Sequence, residues 1–150
     1  MKVYLIGSLR NEEVPRVAAQ LRAANLEVFD DWYSAGKNAD DHWRDYEKAR
    51  GHNLAQALKG YAARHVFEFD KLHLENSDVV VLLMPAGKSA FLELGWALRG
   101  GTPGFILLEN DPERYDVMFQ FATGVATTVD ELLRMLRSVD MQQGAARRVS

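Results

Sequence analysis

The run Val79-Val-Val-Leu-Leu-Met84, followed by Ser89-Ala-Phe-Leu-Glu-Leu-Gly-Trp-Ala-Leu98, decides how this chain folds. Six apolar residues between Asp78 and the turn-forming Pro85-Ala-Gly87 are typical of a buried strand. The second stretch is typical of a helix. A short apolar strand, a tight turn and a helix together form one repeating unit of a parallel α/β sheet.

The same alternation of strand and helix runs along the chain. Apolar runs predict strands at residues 3–6, 26–29, 79–84, 105–108 and 125–127. Helices are predicted at 12–24, 41–50, 55–76 and 89–98, with a break near 60–61 in the third. A last helix is predicted to begin at a cap, either Thr128 or Asp130, and to end at 139. Right-handed crossovers then predict a doubly wound, flavodoxin-like (Rossmann-like) α/β fold with a five-stranded parallel sheet of order 2-1-3-4-5. Residues 1–140 are predicted to be a single domain, and 141–150 a disordered tail without helical period.

Composition narrows the function classes. The 150 residues are 47% hydrophobic and 26% charged, with a formal net charge of −3, which argues against a nucleic-acid polymer as partner. The chain has no cysteine, and its four histidines show no metal spacing, so neither a metal nor another cofactor is expected. No apolar run reaches the length of a membrane span, and the first is too short for a signal-peptide core. A cytoplasmic protein is therefore expected.

Glu93 is a carboxylate in an apolar stretch, with Phe91, Leu92, Leu94 and Trp96 around it. Open α/β sheets bind ligands where a parallel strand ends and a helix begins, and the helix dipole favours an anion there. A carboxylate held among apolar side chains at such a place is a candidate nucleophile or general base. The plainer interpretation is a solvated helix residue.

The turns after the first and third predicted strands meet at one crevice in this topology. Backbone N–H groups, hydroxyls and cationic side chains in these turns suit an anion such as a phosphate. The candidate binding residues are Gly7, Ser8 and Arg10 in the first turn and Gly87, Lys88 and Ser89 in the other. The pattern is neither a Walker loop nor a dinucleotide-binding glycine turn. A simple N-cap for Ser8 and a surface charge for Arg10 are the competing interpretations.

Asp70 is a second candidate carboxylate, because it shares a helix face with Val66, Phe67 and Leu74. Two carboxylates in unlike environments can divide the roles of nucleophile and proton donor, which pairs Asp70 with Glu93. Tyr4 lies on the first strand, where its hydroxyl would orient Glu93 if it faces the crevice. A surface position for Asp70 and a core position for Tyr4 are the alternatives.

Three segments of the chain resemble the nucleoside 2-deoxyribosyltransferase superfamily. They are Tyr4-Leu-Ile-Gly-Ser-Leu-Arg10, Asp70-Lys-Leu-His-Leu-Glu-Asn-Ser-Asp78 leading into the third strand, and Leu92-Glu-Leu-Gly-Trp-Ala97. The similarity extends from the first strand to the last helix. It implies an enzyme that cleaves the N-glycosidic bond of a nucleoside or nucleotide through a covalent ribosyl-enzyme ester, by transfer or by hydrolysis.

The resemblance also implies roles for individual residues. Glu93 would be the nucleophile, Asp70 would contact the base and assist its departure, and Tyr4 would hold the glutamate. A segment like that of Asp116 and Met118 reaches a neighbouring subunit's active site in the family. A homo-oligomer, either a dimer or an assembly of dimers, is therefore expected.

One departure from the family pattern concerns the substrate. Members that act on free nucleosides usually carry an Asp six residues before the nucleophile, where it binds the sugar 5′-hydroxyl. Gly87 occupies that place here, followed by Lys88 and Ser89. An Asp would repel a phosphate, whereas this stretch favours one. With Gly7, Ser8 and Arg10, the chain looks more like the branch that hydrolyses nucleoside 5′-monophosphates.

Two other functions remain alternatives at this stage. A NAD glycohydrolase also uses a Glu beside a ribose, but it needs room for a second nucleotide half, and the sequence shows no dedicated site for one. A non-enzymatic nucleotide-binding module would keep the fold without turnover. Residues 32–52 are longer and more charged than the family leads us to expect, and Trp32, Tyr33 and Trp43 in this segment would either stack on a base or pack against the sheet edge.

Overall fold

The computed structural model describes residues 1–149 and contains a five-stranded, all-parallel sheet of order β2-β1-β3-β4-β5. The strands are β1 (Lys2–Ile6), β2 (Glu27–Phe29), β3 (Val79–Leu83), β4 (Gly104–Leu107) and β5 (Gly124–Ala126). The predicted fold class and strand order are therefore confirmed. The order reverses between β1 and β3, so the loops that follow these two strands lie side by side.

Helices connect the strands and cover both faces of the sheet. They are α1 (Val14–Ala23), α2 (Ala39–Ala49), α3 (Leu54–Ala57), α4 (Tyr61–Glu75), α5 (Lys88–Arg99) and α6 (Val129–Val149), with 3₁₀ turns at Asp31–Ala35 and Val117–Phe121. The break predicted near residues 60–61 is present, because Gly60 precedes α4 in an extended conformation. Thr128 caps α6, since its hydroxyl accepts a hydrogen bond from the Glu131 N–H at 3.1 Å.

Two hydrophobic cores result from the alternation of side chains along the strands. Val3 and Leu5 of β1 join α1 and α6 in one core, while Tyr4 and Ile6 join α4 and α5 in the other. All five residues of β3 are buried, which explains why its sequence is continuously apolar. Full burial of each such side chain contributes about 1.5–3 kcal/mol. The second core forms the floor of the candidate site.

The predicted start of the first helix is wrong. Helix α1 begins at Val14 rather than at residue 12, so the Gly7–Arg10 turn is not at a helix N-terminus and Ser8 is not its N-cap. Asn11 delays the helix, because its side-chain oxygen accepts a hydrogen bond from the Glu13 N–H at 3.0 Å. This local turn competes with helical geometry.

The predicted disordered tail is helical from residue 141 to Val149, and Ser150 lies outside the described residues. Two contacts with Asp78 accompany this extension of α6. The Gln143 amide donates to the Asp78 carbonyl at 3.4 Å, and the Arg147 guanidinium lies 3.9 Å from the Asp78 carboxylate. The sequence of the tail has no helical period of apolar residues, because these contacts are polar and join it to a residue distant in the chain.

The long segment after β2 packs against the rest of the chain. The Trp32 indole N–H donates to the Leu5 carbonyl at 2.8 Å, and the ring contacts both cores. Trp32 therefore packs against the sheet edge, as one of its two interpretations required. Within the segment, the buried carboxylate of Glu47 lies 2.6 Å from His52 Nδ1, which ties the end of α2 to the approach to α3.

Among residues 1–149, no helix has both the length and the apolar character that a bilayer crossing requires.

Candidate active site

Tyr4, Asp70 and Glu93 come together on the sheet face that α4 and α5 cover. Tyr4 is 1% exposed and pairs with Val80 across the β1–β3 step. Asp70 lies on α4 and Glu93 on the second turn of α5, and both are partly buried. The three groups are close enough that both carboxylates raise the pKa of the Tyr4 hydroxyl. The two side chains predicted as partners of Glu93 are thus beside it.

The Glu93 carboxylate is held in an unfavourable environment for a charge. Burial raises its pKa from 4.5 to about 7, a hydrogen bond from the Tyr4 hydroxyl partly opposes this rise, and the negative charge of Asp70 adds to it. Desolvation therefore dominates. A carboxylate deprived of water in this way is more reactive toward a cationic carbon than a solvated one.

Asp70 and Tyr4 are also shifted toward their protonated forms. Burial raises the pKa of the Asp70 carboxyl, and the nearby His73 ring partly offsets the shift. Burial, followed by the two carboxylates, raises the pKa of the Tyr4 hydroxyl, so Tyr4 remains a hydrogen-bond donor at neutral pH. Because the two carboxylates interact, they titrate as a pair that retains a proton to higher pH than isolated side chains.

The rings of Phe29 and His73 pack next to Tyr4, and sequence reasoning did not predict this contact. Phe29 stacks on the His73 ring with centroids 4.1 Å apart and lies 5.1 Å from the Tyr4 ring. The Lys2 ammonium is 3.3 Å from His73 Nδ1. An ammonium can only donate, so Nδ1 accepts and the hydrogen of a neutral ring is on Nε2. The spacing of Asp70 and His73, three residues apart on one helix, was the available signal.

The loop after β1 has a compact backbone conformation. Ser8 Oγ accepts a hydrogen bond from the Arg10 N–H at 3.1 Å, and the Ser8 carbonyl accepts one from the Asn11 N–H at 3.0 Å. Asn11 is 7% exposed, and its amide donates to the Pro85 carbonyl at 3.5 Å. The loops after β1 and β3 are therefore linked by a buried side chain that sequence reasoning overlooked.

The two cations of the predicted phosphate site are exposed. The Arg10 side chain is 73% exposed and its guanidinium lies 3.6 Å from the Asp41 carboxylate. Gly87 occupies the N-cap position of α5, and Lys88 and Ser89 form the exposed first turn of that helix, which contains no acidic residue. Its unpaired N–H groups and the Lys88 ammonium favour an anion.

Asp116 and Met118 lie in the connection between β4 and β5. The Asp116 carboxylate accepts a hydrogen bond from the Met118 N–H at 2.9 Å and begins the second 3₁₀ turn. Phe119 anchors this turn to α5, because its ring lies 5.5 Å from that of Phe91. The Met118 side chain is 61% exposed. The turn therefore presents Met118 to solvent.

Fold and site together define a doubly wound α/β protein with a carboxylate pair beside the switch point of its sheet. No family model matches the chain, and no curated protein sequence matches it. Solved structures do match. The 2-deoxyribosyltransferase of Bacillus psychrosaccharolyticus aligns with a TM-score of 0.58 and 17% identity, over 88% of this chain and 90% of that one.

Two further structures are similar over nearly their whole length. The CMP N-glycosidase BcmB of Clostridium botulinum aligns with a TM-score of 0.55 and 14% identity, over 91% of this chain and 99% of that one. A conserved protein from Enterococcus faecalis V583 aligns with a TM-score of 0.60 and 12% identity, over 92% and 98%. The chain therefore shares its fold with a 2-deoxyribosyltransferase and a CMP N-glycosidase, as the resemblance implied.

Proposed function

We propose that this chain hydrolyses the N-glycosidic bond of a nucleoside 5′-monophosphate, with Glu93 as the nucleophile. The observation that carries the proposal is the Glu93 carboxylate itself: it is desolvated, hydrogen-bonded by Tyr4 and adjacent to Asp70. A 2-deoxyribosyltransferase and a CMP N-glycosidase share the fold, which supports the same reaction class here.

In the first step, the ionised Glu93 carboxylate attacks C1′ of the sugar while the bond from C1′ to the base nitrogen breaks. The electron pair of that bond goes to the base. Asp70 supplies a proton to the departing base and becomes ionised. The reactive form of the pair therefore holds its proton on Asp70, and Tyr4 stabilises the charge on Glu93 through its hydrogen bond. The product of this step is a ribosyl ester of Glu93.

In the second step, water attacks C1′ of the ester. The Asp70 carboxylate takes a proton from this water, and the oxygen of the water bonds to C1′. The bond from C1′ to Glu93 breaks, and Glu93 leaves as a carboxylate. The net products are a free base and a sugar phosphate, and both carboxylates return to their starting states. Transfer to a second base, in place of water, is the competing outcome that product analysis distinguishes.

The substrate's phosphate is proposed to lie between the loop after β1 and the start of α5. Gly7, Ser8 and Arg10 approach from one side, and Gly87, Lys88 and Ser89 approach from the other. The absence of an acidic residue in the first turn of α5 and the exposed guanidinium of Arg10 support this placement.

We also propose a homodimer in the cytoplasm, with Asp116 and Met118 contributing to the partner's site. Of the 15 residues of α4, all of which the structure describes, Leu74 alone is buried. Large apolar side chains on α4, α5 and the second 3₁₀ turn are more than half exposed: Val66, Phe67, Leu72, Leu92, Trp96, Val117, Met118 and Phe121. Large apolar side chains exposed in this number are typical of a subunit interface.

Product analysis by chromatography tests the reaction. The panel contains nucleosides and 5′-monophosphates, ribo and deoxy, each with and without a second free base. Release of base from monophosphates, abolished by Glu93→Ala, is the expected result. A new nucleoside that forms only with the second base would establish a transferase instead. Full activity of Glu93→Ala would refute the nucleophile, and inactivity toward the whole panel would favour a NAD glycohydrolase or a binding module.

Gly87 offers a matched test of the phosphate site. Its φ of −95° suits any residue, and a side-chain β-carbon built there meets nothing within 4 Å. Gly87→Asp should therefore fold normally and lower kcat/KM for monophosphates by about tenfold or more, because the carboxylate repels phosphate. Gly87→Asn is the uncharged control. Equal losses for monophosphate and nucleoside would contradict the phosphate placement.

A further inference from the structure

A cleft lies beside the proposed phosphate site, and apart from Arg10 its lining residues have no role in the reaction described above. Its volume is about 470 Å³, within the range of roughly 300–1,000 Å³ typical of small-molecule sites. The residues that line it include Leu9, Arg10, Glu12, Tyr33, Lys37 and Asn38. They come from the loop after β1 and from the segment after β2, which are neighbours because β1 and β2 pair.

Arg10 belongs to both sites, so the cleft begins where the phosphate site ends. Its guanidinium is held by Asp41, at 3.6 Å, near the start of α2. A substrate phosphate bound by Arg10 can therefore carry a covalently attached group that lies in the cleft. A monophosphate would leave the cleft filled with water.

The cleft walls offer the contacts that a second nucleoside needs. Tyr33 is half-buried and its ring packs edge-on against Trp32 at 5.8 Å, which fixes one aromatic wall for stacking. Lys37 lines the same cleft as Arg10 and adds a second exposed cation. The Asn38 side chain does not cap α2, so both donor and acceptor groups of its amide are available to a ligand.

We infer that this cleft binds the second nucleoside of a dinucleotide, joined through a diphosphate to the nucleotide whose glycosidic bond faces Glu93. This inference rests on the proposed function and names its substrate class. Arg10 and Lys37 bind the diphosphate, Tyr33 stacks on the second base and Asn38 bonds to its edge. For NAD+, water replaces the pyridinium at C1′, so nicotinamide, ADP-ribose and a proton are the products.

Matched substrate pairs isolate the contribution of the cleft. Nicotinamide mononucleotide is compared with NAD+, and CMP with its diphosphate-linked adenosine derivative, because each pair differs only in the extension. Within the pair that is a substrate, the wild-type kcat/KM should be at least about tenfold higher for the dinucleotide than for the mononucleotide. A tenfold difference corresponds to about one charge-assisted hydrogen bond. Equal values for both members of that pair would overturn the inference.

The double variant Lys37→Ala/Asn38→Ala tests the residues. It should lose the preference for the extended substrate, while kcat/KM for the monophosphate stays within about twofold of wild type. Lys59→Ala, an exposed lysine between α3 and α4, is the control and should keep the preference. A double variant that retains the preference, or that weakens both substrates equally, would overturn the assignment.

Binding separates this inference from the proposed function. Should no nucleotide release its base, the proposed function fails, and calorimetry on the full chain then decides the cleft alone. Tighter binding of NAD+ than of nicotinamide mononucleotide, lost in the double variant, would support a dinucleotide site. Equal binding of the two, or binding of neither, would overturn it.

Discussion

The substitution Glu93→Gln should stabilise the folded protein above pH 7 while it removes the nucleophile. Burial raises the pKa of Glu93 from 4.5 to about 7, so the folded state resists ionisation of this group. Each unit by which folding raises this pKa lowers the free energy of unfolding by about 1.4 kcal/mol once the group is ionised. The ionised carboxylate therefore destabilises the fold by about 3 kcal/mol, and glutamine removes that cost while still accepting a hydrogen bond from Tyr4.

The sign of this effect depends on pH. Below pH 4.5, Glu93 is protonated in both the folded and the unfolded chain, and glutamine should give no gain. Between pH 4.5 and about 7, the unfolded chain loses its proton first, so the wild-type free energy of unfolding falls relative to that of the variant. Above pH 7 the difference reaches its full value of about 3 kcal/mol.

Urea unfolding at pH 5 and pH 8 measures the difference, at one protein concentration because association also stabilises the fold. The expected gain is below about 1 kcal/mol at pH 5 and about 3 kcal/mol at pH 8. Glu68→Gln is the matched control, because Glu68 is an exposed carboxylate on α4; its effect should stay within about 0.5 kcal/mol. A Glu93→Gln gain that is absent at pH 8, or equal at both pH values, would refute a buried, desolvated carboxylate.

Three further predictions concern the site, the core and the assembly. Tyr4→Phe removes the hydrogen bond that lowers the pKa of Glu93, so the acid limb of the kcat/KM–pH profile should move to higher pH; an unmoved limb would separate Tyr4 from Glu93. Gly104→Ala should lower the free energy of unfolding by about 1–3 kcal/mol, because a β-carbon there would lie 2.7 Å from a leucine of α5. In the control Gly95→Ala the β-carbon has nothing within 4 Å, so this variant should be as stable as the wild type or more stable in a denaturant titration. Specific activity should fall on dilution, and further with Met118→Ala, if the partner completes the site; activity independent of concentration would contradict a shared site.

The positions of the strands were predictable because burial on both faces makes each one a short apolar run. The parallel order followed from the alternation of strands and helices, since right-handed crossovers leave few arrangements. Helix starts were less predictable. The side-chain turn at Asn11 moves the start of α1 to Val14, and local hydrogen bonds of this kind compete with helical periodicity without altering it.

The three central residues of the candidate site were predicted from the sequence, but the residues around them and the pKa shifts were not. An anomalous carboxylate in an apolar stretch pointed to Glu93, and positions on a largely apolar helix face and on the first strand pointed to Asp70 and Tyr4. The resemblance then implied a role for each. Sequence gave no reason to expect the Phe29–His73 stack or the Asn11 contact with Pro85, because each joins residues more than forty positions apart. Such contacts depend on which elements the sheet brings together.

Sequence by itself determined that the chain alternates strands and helices, that the third strand is buried, and that a carboxylate follows it. These properties are local, because the period of apolar residues records which faces are buried. Tertiary structure alone decided that Tyr4, Asp70 and Glu93 share one desolvated environment. A pKa near 7 for Glu93 is a property of that environment, since it arises from the water that the packed helices exclude and from a neighbouring charge brought in from another helix.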